Sequence, residues 1–216
     1  TYYGSQEPES FSRWHDETPD DFVFTLKGPR FATNRRVLAE AGDSIERFVE
    51  SGITRLKKKL GPINWQFMAT KKFEPEDFSA FLSLLPAKHD GAALRHAVEV
   101  RHPSFACPEF VSLCAKHKVA IITAGDSEFP LIADVTADFA YARIMGTTDK
   151  EKLGYSKTAI AKWAARAKDW SEGTVPKDLP LLAKPAVKKS RDVFLFVISG
   201  AKARNPAAAQ AIIAAL

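Results

Sequence analysis

The chain has 216 residues, enough for one large domain or two small ones. Its hydrophobic content of 45% and its 15 Phe supply an ordinary globular core, and no apolar run is long enough to cross a bilayer or patterned as a signal peptide. That excludes a membrane partner and sets the expectation of a cytoplasmic protein. Net charge is +5 with a pI near 9.1, carried in short runs at Lys57-Lys58-Lys59, Lys71-Lys72 and Lys184 to Arg191. Such runs are usually solvated faces, and the excess suits an anionic small molecule as well as a nucleic acid.

The segment Glu9 to Glu17 has helical spacing, with Phe11 and Trp14 on one face, and Thr18-Pro19-Asp20 breaks it. Phe22 to Lys27 is the first clear strand, ended by Gly28-Pro29. Asp43-Ser44 is expected to cap a helix running to about Leu60, with Ile45, Phe48, Val49, Ile53 and Leu56 as its apolar stripe. Gly61-Pro62 should end that helix, and Ile63 to Phe67 reads as a short strand. A helix from about Pro75 to Leu85 precedes a strand from Leu94 to Arg101, which Pro103 should stop. Pro108 starts a helix ending near His117, followed by an apolar strand at Val119 to Thr123 and another at Phe139 to Ile144. Ser156 precedes a helix up to about Trp170. Residues 173–191, rich in proline and lysine, read as a long loop excursion. Asp192 to Ile198 is the last strand, and Pro206 to Leu216 is an alanine-rich closing helix.

Cys107 and Cys114 stand seven apart in a helical stretch, about 10.5 Å along the axis, too far for a disulfide. They are read as reduced thiols.

Strands and helices alternate throughout, and the strands are mostly apolar on both faces, the mark of a parallel sheet covered by helices. No glycine-rich phosphate loop follows any strand. The expected fold class is therefore α/β, a (β/α)8 TIM-type barrel lacking its first strand and helix at the N-terminus. Thr1-Tyr2-Tyr3 would be the end of the second strand. Residues 1–216 are expected to be a single domain, with the excursion at about 173–191.

The polar residues at strand ends carry the functional expectation. Lys27 closes one strand, Gln66 another, and Glu99 and Arg101 a third. Asp126 lies just past the fourth, Arg143 ends the fifth, and Ser199 follows the sixth. In a parallel barrel such ends lie on one face, where active sites are built. Lys27, Arg101 and Arg143 would favour a carboxylate or phosphate. Each residue also has a structural explanation: Glu99 with Arg101, or Asp126 with Arg143, could be an ion pair that fixes the fold. His102 lies beside the expected pocket and serves equally as a loop-fixing group or a catalytic one. His96 falls out of phase with Glu99 and should face the helices. No ligand spacing supports a metal, and no cofactor is expected.

Phe22 to Thr33, Leu60 to Gln66, Glu99-Val-Arg-His-Pro-Ser104 and Thr136 to Arg143, together with Tyr155-Ser and the Trp163/Trp170 helix, resemble the YecE-like family, domain of unknown function 72. The resemblance runs over nearly the whole chain in order. It implies a TIM-type barrel and no particular reaction. By position it carries a polar signature onto Lys27, Arg30, Thr33, Gln66, Glu99, Arg101, His102, Asp126, Tyr141 and Arg143. The chain departs from that pattern at Asn34, Met145 and Ser199-Gly200, where the family usually has two histidines and an asparagine pair.

The expected function is binding of a small phosphate- or carboxylate-bearing ligand at a cationic pocket, with hydrolysis or isomerisation as the chemistry if the protein is an enzyme. Glu99 would then be general acid/base, Asp126 second and His102 third. Lys27, Arg30, Thr33, Gln66, Arg101, Tyr141 and Arg143 would bind ligand. The alternative is a non-catalytic interaction protein, associated with nucleic acid through Lys57 to Lys59 and the excursion.

Overall fold

Local signals decide where most elements begin. In the computed structural model, which describes residues 1–2, 4 and 6–216, Pro8 opens the first helix, α1 (Pro8–Asp16), and Phe11 is its buried anchor. Strand β1 (Phe24–Lys27) is shorter than expected, because Phe22 and Val23 remain exposed. A single helical turn, α2 (Arg30–Thr33), follows Pro29. The chain divides into two compact units, Thr1–His102 and Pro103–Leu216.

In the first unit the expected long helix is split. Helix α3 covers Gly42–Val49, and Asp43 and Ser44 lie inside its first turn rather than capping it. The helix ends at Glu50, and Gly52, with φ 95°, redirects the chain in a left-handed conformation. A 3-10 segment, Ile53–Lys59, then carries Ile53 and Leu56 into the same core. Gly61-Pro62 does not end a helix. It lies within strand β2 (Leu60–Gln66), where the ladder with β1 shifts register between Phe24 and Leu26. Such an irregularity is where a strand tolerates proline. Helix α4 (Pro75–Ser83) packs Phe78 and Phe81 against Phe67 and Trp65. A small hairpin, β3 (Lys88–His89) and β4 (Ala92–Ala93), turns at Asp90-Gly91, both with positive φ. That dipeptide is the favoured two-residue hairpin turn. Strand β5 (His96–Glu99) completes three parallel strands, with β1 paired to β2 and β2 paired to β5.

The second unit repeats the logic. Helix α5 (Pro108–His117) starts at its proline and stops at Lys118, in a left-handed conformation. Cys107 precedes this helix instead of lying in it, and both cysteines are free thiols. Strands β6 (Ala120–Gly125), β7 (Phe139–Ile144) and β8 (Asp192–Val197) are parallel, β6 beside β7 and β7 beside β8. Helix α6 (Lys157–Ser171) is capped by Ser156, whose hydroxyl accepts from the Ala159 N–H at 3.2 Å. Helix α7 (Asn205–Ala214) closes the chain. The small side chains Ala140 and Ala142 let Trp163, Ile160 and Ile212 pack on one face of β7.

The observed class is α/β with parallel strands, and the described residues do not form a closed ring of eight. Of the expected strand at Thr1 to Tyr3, Tyr3 lies outside the described residues, and Thr1 and Tyr2 are not strand. No helix among the described residues is long and apolar enough to cross a membrane.

Candidate functional site

In the first unit, three strand ends converge. Lys27 is the last residue of β1, Gln66 of β2 and Glu99 of β5. The parallel register sets Lys27 opposite Asn64 and Gln66 opposite Glu99, so all four share a face. The Lys27 ammonium donates to Gln66 Oε1 at 2.7 Å and lies 4.2 Å from the centre of the Tyr2 ring. Arg101 donates to Glu99 Oε1 twice, from Nε at 3.1 Å and from an Nη2 at 2.8 Å. Asn64 Nδ2 donates to Glu99 Oε2 at 3.3 Å. Glu99 has no exposed surface, whereas the Arg101 side chain is 23% exposed. A carboxylate that deep is stable only when paired and hydrogen-bonded, and Arg101 and Asn64 supply those contacts.

The opposite face of the same strands is structural. Trp65 Nε1 donates to His96 Nδ1 at 3.1 Å, and His96 Nε2 bonds the Pro86 carbonyl at 2.8 Å. That pattern fixes the neutral tautomer with its proton on Nε2. Burial lowers the His96 pKa, against a smaller opposing effect of the Pro86 carbonyl. His96 thus faces away from Glu99, as its phase predicts.

Arg30 and Thr33 are both on α2, but they differ in setting. Arg30 is exposed with its guanidinium 5.3 Å from the Phe31 ring, while the buried Thr33 hydroxyl finds no hydrogen-bond partner. His102 is half-buried just after β5.

The second unit holds the remaining candidates. Asp126 follows β6 in a left-handed conformation, φ 51°. Its Oδ2 accepts from the Trp163 indole at 2.7 Å, and the Tyr155 hydroxyl bonds the same carboxylate. Tyr155 in turn accepts the Gly146 N–H at 2.8 Å. Burial first, and then the Asp126 charge, push the Tyr155 pKa well up, so it stays a neutral donor. A side chain at Gly146 would come within 2.7 Å of Asp126 Cβ, so the network needs glycine there. Tyr141 is buried against Phe194 and Phe196, with ring centres 6.2 and 5.4 Å away. Arg143, half-buried, shares that face of β7 at its C-terminal end.

Sequence reasoning missed Asn64, Tyr2, Trp163 and Tyr155 as partners of the candidates. Asn64 had a readable signal: two residues before Gln66 in a strand, it must point the same way. The other three come from outside the strands, and no local pattern announces them. Among the described residues no group of three or more His, Cys, Asp or Glu side chains could hold a metal ion.

The family model "Protein of unknown function DUF72" matches residues 1–216. The chain belongs to the DUF72 family. Over 108 residues it is 32% identical to the UPF0759 protein YecE of Escherichia coli K12, a match covering 49% of this chain and 37% of that protein. The chain thus spans little more than a third of that relative's length. Among solved structures, a DUF72 family protein from Thermotoga maritima superposes with a TM-score of 0.66 at 21% identity, covering 99% of this chain and 80% of the other. A DUF72 family protein from Enterococcus faecalis gives a TM-score of 0.68 at 16% identity, with 98% and 84% covered. At those identities the likeness is one of fold.

Proposed function

We propose that the chain is a β/α-barrel protein of the DUF72 family that binds a small phosphate- or carboxylate-bearing ligand at the strand ends of its first unit. The barrel frame would be a (β/α)8 ring, with residues 1–216 acting as one domain. The observation that supports the binding reading is the linked set Lys27, Gln66, Asn64, Glu99 and Arg101. Two cations and one carboxylate leave the cluster one positive charge in excess, at the end of parallel strands where α/β proteins bind ligands. Lys27 and Arg101 attract the anion, and Gln66 orients it. If the ligand is turned over by hydrolysis or isomerisation, Glu99 is the general acid/base. Asp126, whose carboxylate is engaged by Trp163 and Tyr155, is the weaker candidate for that role.

Titration calorimetry with inorganic phosphate and with succinate tests the reading. Either anion should bind the unaltered chain, and Lys27→Met should weaken it about tenfold, the loss of roughly one charge-assisted contact. If neither anion bound, or if Lys27→Met bound both unchanged, the proposal would fail. Mass spectrometry of small molecules that co-purify would then identify the substrate on which Glu99→Gln should abolish turnover while binding persists.

The nucleic-acid alternative loses one of its supports. Lys59 is buried, and its ammonium is spent on the carbonyls of His15 and Thr18 and on the Thr18 hydroxyl.

A further inference from the structure

A cavity of about 360 Å³ lies in the first unit, and Glu99, Gln66, Asn64 and Arg101 are not among the residues that line it. Its walls are of two kinds. Tyr2, Phe31 and Phe48 give it an aromatic lining, and Arg35, Arg47 and Ser44 give it a polar one. No Asp or Glu lines it among the described residues. The Arg35 guanidinium donates to Ser44 Oγ at 3.2 Å, which leaves the hydroxyl's own proton available for a further acceptor. Its Nε is buried with no hydrogen-bond partner, an arrangement that is costly unless something arrives to accept from it. Arg47 Nε donates to its own helix, at the Asp43 carbonyl, 3.1 Å away, and leaves its remaining donors uncommitted to any carboxylate.

Neither arginine forms an ion pair among the described residues. Two guanidinium groups in one cavity without a carboxylate repel each other, and an anion between them removes that penalty. Phe31 is 62% exposed although it borders this cavity. With the Arg30 guanidinium 5.3 Å from its centre, the ring offers an apolar surface at the edge of a concave site that an aromatic ligand can cover. The volume falls in the range of small-molecule sites.

We propose that this cavity is a second ligand site that takes a small aromatic carboxylic acid. The ring system lies among Tyr2, Phe31 and Phe48, and the carboxylate accepts from Arg35, Arg47 and the Ser44 hydroxyl. The site does not rest on the Glu99 reading, because its polar groups are different ones.

The test compares 2-naphthoate with the neutral isostere 2-naphthalenemethanol, each titrated into the full chain. Naphthoate should saturate one site and bind about tenfold more tightly than the alcohol. Combining Arg35→Gln with Arg47→Gln should erase that tenfold preference and leave the alcohol unchanged. Phe31→Ala should weaken both probes, whereas Glu99→Gln should change neither. Arg47→Gln alone, at an exposed position, should reduce the preference severalfold and serves if the double variant misfolds. No binding of 2-naphthoate, equal binding of acid and alcohol, or indifference to both arginine variants would each overturn the site. Phosphate binding that Lys27→Met weakens and the two arginine variants leave unchanged reports on the strand-end cluster, whereas a naphthoate preference that only the arginine variants erase reports on this cavity, so the two proposals fail independently.

Discussion

Lys59 is the residue whose role changes most between sequence and structure. In the run Lys57-Lys58-Lys59 it reads as one of three solvated charges, yet it is 2% exposed and closes the C-terminal end of α1. A cation at the last carbonyls of a helix satisfies acceptors that have no intrahelical donor and complements the helix dipole. Lys59→Met should therefore cost about 3 kcal/mol in urea unfolding, because it strands several acceptors at once. The same change at Lys58, whose pairing with Asp20 is solvent-exposed at 3.8 Å, should be nearly silent. His96 gives a pH prediction of defined sign. Its folded-state pKa is lowered by burial, so below about pH 6.5 the unfolded chain binds a proton that the folded chain refuses. Stability should fall as pH drops through that window, and His96→Gln should flatten the slope while lowering stability at neutral pH. Thermal melts at pH 7.5 and 5.5 would show whether it does.

Among the elements, the excursion at 173–191 is better anchored than its composition suggests. Asp134 accepts from the backbone N–H groups of Leu182 and Ala183, with contacts of 2.9 to 3.2 Å. Arg191 donates to the carbonyls of Gly173 at 2.9 Å and Val187 at 2.7 Å, and Arg166 pairs with Asp178 at 2.8 Å. Asp134→Ala should raise the rate of tryptic cleavage at Lys188 and Lys189 severalfold, since local opening then exposes those bonds. Unchanged cleavage would mean that Arg191 and Arg166 suffice. None of this was legible, because Asp134 is distant in sequence from the backbone it holds. Gly61 teaches the converse lesson. Gly-Pro reads as a terminator on local grounds, yet β2 runs through it because the backbone of β1 comes so near that a Cβ at Gly61 would lie 2.6 Å from the Phe24 carbonyl oxygen. Gly61→Val should destabilise the chain by about 2 kcal/mol through that overlap.

At the scale of the whole molecule, the alternation of helix and parallel strand was readable from period and punctuation, since Pro75, Pro108 and Ser156 all start helices where they should. The strand-end cluster was half readable. Lys27, Gln66, Glu99 and Arg101 could be found by phase, whereas Tyr2 and the Trp163–Tyr155 hold on Asp126 depend on long-range packing. Charge makes a further distinction. Anion binding at one small cluster should weaken only mildly with added salt, while a nucleic-acid contact through several lysines would lose orders of magnitude in affinity between 50 and 200 mM. The tryptophans have a consequence of a different kind. Trp14 and Trp65 belong to the first unit, Trp163 and Trp170 to the second, and the last three are almost wholly buried. The chain therefore carries its own optical labels, two for each half. Replacing either pair with phenylalanine leaves an emission signal that follows one half alone. Within either variant, a fluorescence curve that superimposes on loss of far-ultraviolet circular dichroism would mean that the halves melt together, and a separated one that each melts by itself.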